Sequence, residues 1–340
     1  MTEKIISLMR FSGLKAFVPL VRFIQGEDRE EQLRVLWKTI GIPLTTFSLF
    51  LLTWAVIAPQ IKTSLGGVPG PVQVWAQVQS LAAEYQKERT NEKEFDAREK
   101  ERVAQKRAEN PGQEVKLRKY SGRPTFPGQI LTSLITVFTG FMIASVIAVP
   151  LGILCGLNRT LMMALNPLIQ IFKPVSPVAW LPIVTMVVSA VYTVPQPWLE
   201  KCFIISAITV SLCSIWPSLI NTALGVASLD KDYLNVARVL QLGLGTKIFR
   251  IVLPASMPYI FAGLRISLGV GWMVLIAAEL LSQNPGLGKF VWDEFQNGSS
   301  QSLARIMVAV FTIGIVGFAL DRVMVMMHKM VSFGHEPAGN

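Results

Sequence analysis

Residues 230–265 read DKDYLNVARVLQLGLGTKIFRIVLPASMPYIFAGLR, and the stretch changes character twice. Its first part, about 231–241, spaces apolar and polar residues at helical intervals behind Asp230, whose carboxylate suits an N-cap. Gly243 and Gly245 are expected to break the chain. Thr246–Leu253 follows as a second amphipathic stretch, expected to bury Ile248, Phe249 and Val252 on one side. Pro254 should stop it, and Pro258 should open a long apolar helix. The pattern predicts a compact helical hairpin at the foot of a hydrophobic helix. Such a hairpin can seat in a partner's groove and pass the partner's motion to the helix.

The apolar helix beyond Pro258 is one of six. Working outward, spans are expected at about 39–59, 130–156, 167–193, 202–224, 258–282 and 302–327, each long enough to cross roughly 30 Å of hydrocarbon at about 1.5 Å per residue. Residues 1–38 form an N-terminal segment. After Lys4 it is apolar but interrupted by Arg10, Lys15 and Arg22, which suits a helix lying in the membrane interface. Residues 60–128 form a charged insert. Its run LAAEYQKERTNEKEFDAREKERVAQKRAE mixes acids and bases at helical spacing, as a solvated helix with many (i, i+4) pairs does. Pro111 and Gly112 should end it, and residues 120–127 should lead extended into the next span. Residues 129–327 are the transmembrane core, with the hairpin loop at 230–257, and residues 328–340 are a short polar tail.

Composition agrees with a membrane protein. Of 340 residues, 51% are hydrophobic and the formal charge is +10. A water-soluble surface rarely tolerates that apolar average, and the apolar residues arrive in blocks. The basic excess flanks the spans, so it reads as an orientation signal and not as a nucleic-acid footprint. Six spans would put both termini on one side. The N-terminal segment and the 225–257 loop carry several Lys and Arg each and the tail carries Lys329, which makes that side the cytoplasm. The insert then lies outside; it is longer than the loops the rule governs. Cys155, Cys202 and Cys213 have no metal or disulfide spacing and read as small packing residues. No apolar core followed by a small-residue cleavage site marks a removable signal.

The hairpin resembles the coupling loop of ABC importer permeases, whose consensus is Glu-Ala-Ala, three residues, Gly, about nine residues, then Ile-x-Leu-Pro. Here the positions read Asn235-Val236-Ala237, Gln241 and Ile251-Val-Leu-Pro254; Asn235 and Gln241 depart from the consensus. PLIQIFKPVSPVAWLPIV (167–184), SIWPSLINTALGV (214–226), YIFAGLRISLGVGWMVLIAAELL (259–281) and GKFVWDEFQ (288–296) are similar to the nitrate/bicarbonate/cyanate/sulfonate permeases, nearest the nitrate and bicarbonate branch. The resemblance covers about 130–327 and leaves the insert unexplained. It implies an all-α fold of the type I importer permease architecture, with six transmembrane helices in a bacterial inner membrane. It also implies import of nitrate, and with it nitrite. Bicarbonate, cyanate or a sulfonate such as taurine are the alternatives.

The resemblance further implies the partners: a second permease copy, ATPase subunits on the coupling loops, and a periplasmic or lipid-anchored binding protein. The loop residues expected to meet the ATPase are Tyr233, Asn235, Val236, Ala237, Gln241, Gly243, Phe249, Leu253 and Pro254. The chain has no Gly-x-x-x-x-Gly-Lys-Ser/Thr phosphate loop, so ATP and Mg belong to the partner and this chain binds no cofactor.

Intramembrane polar groups are costly and invite a functional reading. The candidates for a translocation path are Lys173, Ser176, Thr209, Asn221, Arg265 and Glu279. Lys173 also fits a snorkelling interfacial lysine. Arg265 and Glu279 lie on one helix about 21 Å apart by rise, too far to pair with each other. Asp321 and Arg322 read as interfacial. For Thr136, Thr139, Ser145, Gln170, Ser206, Ser211 and Ser214 an ordinary helix hydrogen bond competes with a role in the path. The proline-rich run 173–182 should free backbone groups from helical bonding. Gly152-Ile-Leu-Cys-Gly156 permits close helix approach. A secondary transporter would show carboxylate or histidine relays or an inverted repeat, and a membrane enzyme a catalytic constellation. Neither pattern is evident, with His328 and His335 both near the C-terminal end.

Overall fold

Backbone inside hydrocarbon must satisfy its own N–H and C=O groups, so long apolar runs become helices. The structure, a computed structural model, describes residues 29–63, 66–109, 117–193, 200–230, 232, 235, 239–299 and 301–332. The interfacial helix expected after Lys4 lies outside these residues. In chain order α1 (Arg29–Leu36) runs through a π-turn at Trp37–Gly41 into α2 (Ile42–Ile57) and a 3-10 turn at Ala58–Gln60. A two-residue hairpin follows, β1 (Lys62–Thr63) antiparallel to β2 (Gly66–Gly67), with Lys62 opposite Gly67. Then come α3 (Pro71–Glu109), α4 (Phe126–Leu157), α5 (Arg159–Phe172), α6 (Pro177–Val191) and α7 (Lys201–Ala227). The chain ends with α8 (Leu244–Lys247), α9 (Leu253–Ser282), α10 (Leu287–Asn297) and α11 (Ser302–Ser332).

Among the described residues five helical stretches are long and apolar enough to cross a membrane: Glu30–Gln60, Phe126–Leu157, Lys201–Ala227, Leu244–Ser282 and Ser302–Val331. The third expected span is different. Instead of one helix over 167–193, α5 and α6 meet at 100°, and they make a sixth span only if taken as one. Pro174 and Pro177 lack the N–H groups that would carry the helix through. Ser176 restarts it by accepting from Val178 N at 3.3 Å. The proline-rich run therefore breaks the helix, as its composition predicts.

Helices α4, α7 and α9 pack most extensively, and Val137, Phe141, Val210, Leu268, Trp272 and Leu275 fill the space between them. Glycines bring α4 onto α7. A Cβ on Gly152 would lie 2.8 Å from Leu219 O, and one on Gly156 2.7 Å from Ala223 O. This is the close approach that small residues allow where lipid gives no hydrophobic drive. Ser267 ties α9 to α7: its hydroxyl donates to Ser214 O at 2.6 Å and accepts from Ser218 Oγ at 2.7 Å.

Three boundaries correct the sequence expectation. Pro127 does not precede its helix; it is the second residue of α4, where a missing N–H costs little. Pro254 does not stop the second arm of the hairpin, and Pro258 lies inside α9 instead of opening it. The π-turn Ile248–Val252 leads directly into α9, so the helical path from Leu244 to Ser282 is continuous. A π-turn widens the backbone spacing just where the Pro254 ring would press on the preceding turn. The connection 283–301 contains a helix of its own, α10.

The insert is more than a solvated helix. Helix α3 has 39 residues. At about 1.5 Å of rise per residue it extends roughly 58 Å. Val74 and Leu81 pack with Phe290, Val308 and Ala309. Arg305, at the start of α11, bonds Gln77 at 3.3 Å, Glu294 at 3.2 Å and Glu84. Further along, the returning segment lies on the helix. Glu88 accepts from Tyr120 Oη at 2.7 Å and Arg123 N at 3.0 Å. Glu99 accepts from Arg102 and from Arg118 N at 2.9 Å. Of the expected (i, i+4) ion pairs along α3, Arg98–Glu94 forms, at 3.4 Å. Pro111 and Gly112 lie outside the described residues.

This clasp gives a pH prediction. The Arg102 guanidinium, then the Arg118 N–H, hold the Glu99 carboxyl down at about 2. Tyr120 and the Arg123 N–H lower Glu88 as well. A carboxyl whose folded pKa is depressed stabilises fully above its unfolded value and loses that contribution as pH falls through the folded one. The clasp should therefore hold above about 4.5 and open as pH drops toward about 2. Amide exchange at Arg118, corrected for its intrinsic pH dependence, should accelerate across that window. In Glu99→Gln it should already be fast at neutral pH.

Candidate functional site

The hairpin is built from its caps. Asp230 Oδ1 accepts from Asp232 N at 3.1 Å, and residues 232, 235 and 239 are helical. Tyr233, Val236 and Ala237 lie outside the described residues. Gln241 then turns the chain with φ 48°, in the left-handed region. Gly243 is extended and starts α8, and Gly245 sits within that helix and does not break it. The position where the consensus has glycine is thus the one where the backbone needs it. An L-residue pays roughly 1–2 kcal/mol for left-handed backbone. Gln241→Gly should recover part of this and leave coupling intact, seen as a thermal midpoint at or above wild type.

Phe249 corrects the expected burial. Val252 is fully buried, and Ile248 packs beside it, Ile153 and Val226, whereas Phe249 is 72% exposed. A π-turn uses an extra residue per turn, so the 3.6-residue period that would set Phe249 beside Val252 does not hold there. Leu253 is half-buried and Pro254 exposed. Val239 (82% exposed), Leu244 (75%) and Phe249 thus give the hairpin an outward apolar surface at the foot of α9.

Higher on α9, the two candidate charges have separate partners. Arg265 reaches α11, donating from Nε to Asp321 Oδ1 at 2.6 Å and from Nη2 to Oδ2 at 3.1 Å. Asp321 is therefore a partner that joins α11 to α9. It also accepts from Arg322 at 3.3 Å. Glu279 is fully buried and accepts from Ser133 Oγ at 2.9 Å and Gly288 N at 3.0 Å. Arg265 and Glu279 do not meet, as their spacing requires.

The other path candidates are dispersed. Lys173 is exposed at the α5–α6 bend beside the cap Ser176. Thr209 donates to Ile205 O and Asn221 to Pro217 O, both at 2.8 Å. Thr136, Thr139 and Ser145 likewise bond carbonyls four residues back. These are the ordinary helix bonds that compete with a path role. No group of three or more metal-ligating side chains occurs among the described residues. Sequence reasoning missed the pairing of Asp321 with Arg265 and the packing of the Asn284–Gly288 loop onto Glu279. The signal for the first was a carboxylate and an arginine on two different apolar spans; for the second it was Gly286-Leu-Gly288 in the turn that follows the span carrying Glu279.

Residues 148–332, more than half of the chain, match the family described as binding-protein-dependent transport system inner membrane component. The chain is 38% identical over 204 residues to the nitrate import permease protein NrtB of Synechococcus elongatus, spanning 60% of this chain and 69% of that one. It is 40% identical over 204 residues to the bicarbonate transport system permease protein CmpB of the same species, spanning 60% and 68%. NrtB of a Synechocystis species is 37% identical over 203 residues, spanning 60% and 69%. Family match, apolar spans and outward hairpin agree. The chain belongs to this family: it is a multi-pass inner-membrane, non-catalytic permease subunit of an ABC-type importer of the nitrate and bicarbonate group, and it works with ATPase and substrate-binding partners.

Proposed function

We propose that two copies of this chain form the path by which nitrate, and with it nitrite, crosses the inner membrane. The observation that carries this reading is the continuity of α9 with the hairpin. One helical path joins an exposed apolar docking surface to Arg265, the charge that meets the ion path. ATPase subunits seat on residues 230–257, hydrolyse ATP with Mg, and tilt that helix; the permease itself binds neither. Both termini and the hairpin are cytoplasmic, and α3 stands outside. Lipid surrounds α2, whose residues are exposed along nearly their whole length. Lys173, Ser176, Thr209 and Asn221 are proposed to flank the path at the α5–α6 bend and along α7.

A second cargo, bicarbonate, is favoured by the identity to CmpB, which equals that to NrtB within a few per cent. The test is ATP hydrolysis by the reconstituted permease, ATPase and binding protein across nitrate, nitrite, bicarbonate, cyanate and taurine. Stimulation by nitrate and nitrite supports the nitrate reading. Stimulation by bicarbonate alone replaces the cargo and keeps the machine.

A further inference from the structure

We infer that Arg265 is an anion-binding residue of the translocation path and that the Asp321 carboxylate occupies its place between transport events. The inference rests on the reading that the cargo is a small oxyanion.

Geometry comes first. Arg265 grips Asp321 through two parallel bonds, 2.6 Å from Nε to Oδ1 and 3.1 Å from Nη2 to Oδ2. That fork recognises two coplanar oxygens on one atom. Nitrate, nitrite and bicarbonate present the same planar O–X–O unit as a carboxylate. A linear anion such as cyanate does not.

The pair is not sealed into the protein. The two side chains are 43% and 33% exposed and line a cavity of about 210 Å³ between α9 and α11. A water takes roughly 30 Å³, so the space holds a planar oxyanion with several waters. Leu268, Trp272, Leu320 and Met324 wall it with apolar surface, which strengthens any charge interaction inside. Gly269 is part of the lining, and a Cβ there would meet nothing within 4 Å.

Charge balance points the same way. Arg265, Asp321 and Arg322 sum to +1, because Arg322 shares the carboxylate at 3.3 Å. One monovalent anion brings the group to neutrality. Asp321 sits well inside α11, about three turns before its end at Ser332. An uncompensated charge at that depth is costly. As an anion arrives on Arg265, Asp321 turns wholly to Arg322. The guanidinium is paired at every stage, so the exchange avoids baring a charge in low dielectric. A purely structural staple would need neither the cavity nor the second arginine.

The test uses the complete importer in proteoliposomes, with uptake of labelled nitrate and bicarbonate as readout and co-purification of the ATPase as the check on assembly. Two variants are made. Arg265→Gln/Asp321→Asn removes both charges but keeps hydrogen-bonding side chains of similar size. Gly269→Leu puts a side chain on the cavity lining one helical turn from Arg265 and leaves both charges in place. Each should lower uptake by about tenfold or more, the effect expected for losing a hydrogen bond to a charged group. Wild-type uptake by the assembled neutral pair overturns the assignment, whatever Gly269→Leu does. If the neutral pair fails to assemble, wild-type uptake by Gly269→Leu overturns it instead. Should the wild-type importer carry none of the oxyanions, the cargo reading itself falls, and this inference with it.

Discussion

Phe249→Asp should leave the permease inserted in the membrane and strip it of its ATPase. The ring is 72% exposed at the foot of α9, and no hydrophobic cluster among the described residues contains it. Replacing it therefore costs the isolated permease little. An aromatic anchor at an interface typically carries about 2 kcal/mol or more, and a carboxylate in its pocket adds desolvation, so affinity should fall roughly 30-fold or further. Co-purification and binding-protein-stimulated ATP hydrolysis would both collapse. Val252→Asp supplies the contrast, because Val252 is fully buried and its loss should unfold the hairpin itself. If Phe249→Asp retains its ATPase and full stimulated hydrolysis, the hairpin is not the seat of the ATPase.

Much of this molecule was legible in its sequence because hydrocarbon removes choices. Apolar length alone located α2, α4, α7, α9 and α11 to within a few residues. Proline content located the break between α5 and α6, since Pro174 and Pro177 cannot donate. What failed was reading Pro127, Pro254 and Pro258 as helix boundaries. Pro127 and Pro254 are second residues of helices, and Pro258 is tolerated inside one, because a π-turn and the free N–H positions of a first turn absorb the missing bonds. The same π-turn rotated Phe249 out of the face that a regular helix would give it. Period-based reasoning has no means of seeing an extra residue in one turn.

Partners were less legible than elements. Arg265 and Glu279 stand out in sequence as charges within an apolar run, and both are bonded, Glu279 fully buried and Arg265 partly exposed. Which group bonds them depends on helix packing, which spacing does not encode. Asp321 lies 56 residues from Arg265 and Ser133 lies 146 residues from Glu279. The charged insert likewise read as a solvated helix, yet Glu88 and Glu99 bind a returning segment and Glu84 binds Arg305. The last of these ties α3 to the start of α11, the element that also carries Asp321.

The largest loss of stability should come from Glu279→Leu. The carboxylate sits under the loop that leads into α10, and its partners are the N–H groups that no helix can satisfy internally. Gly288 N bonds Glu279 at 3.0 Å, and Leu287 N bonds Ser133 Oγ at 2.9 Å while that hydroxyl donates back to the carboxylate. Glu279 is in effect a cap for α10 supplied by α9 and steadied by α4. Leucine would leave Gly288 N and the Ser133 hydroxyl unpaired in a dry interior, at about 1–3 kcal/mol each. Glu279→Gln, which keeps one acceptor, should fall between. Gly288→Ala tests the same joint from the other side. A Cβ there would collide with Ile276 O and lie 2.9 Å from Glu279 Cβ, so α10 could stay only by moving off α9. Thermal midpoints of the detergent-solubilised permease should rank wild type, Glu279→Gln, then Glu279→Leu, with uptake falling in the same order. A Glu279→Leu variant that melts with wild type but transports nothing would break that order. It would move Glu279 from the scaffold of the loop before α10 into the path of the anion.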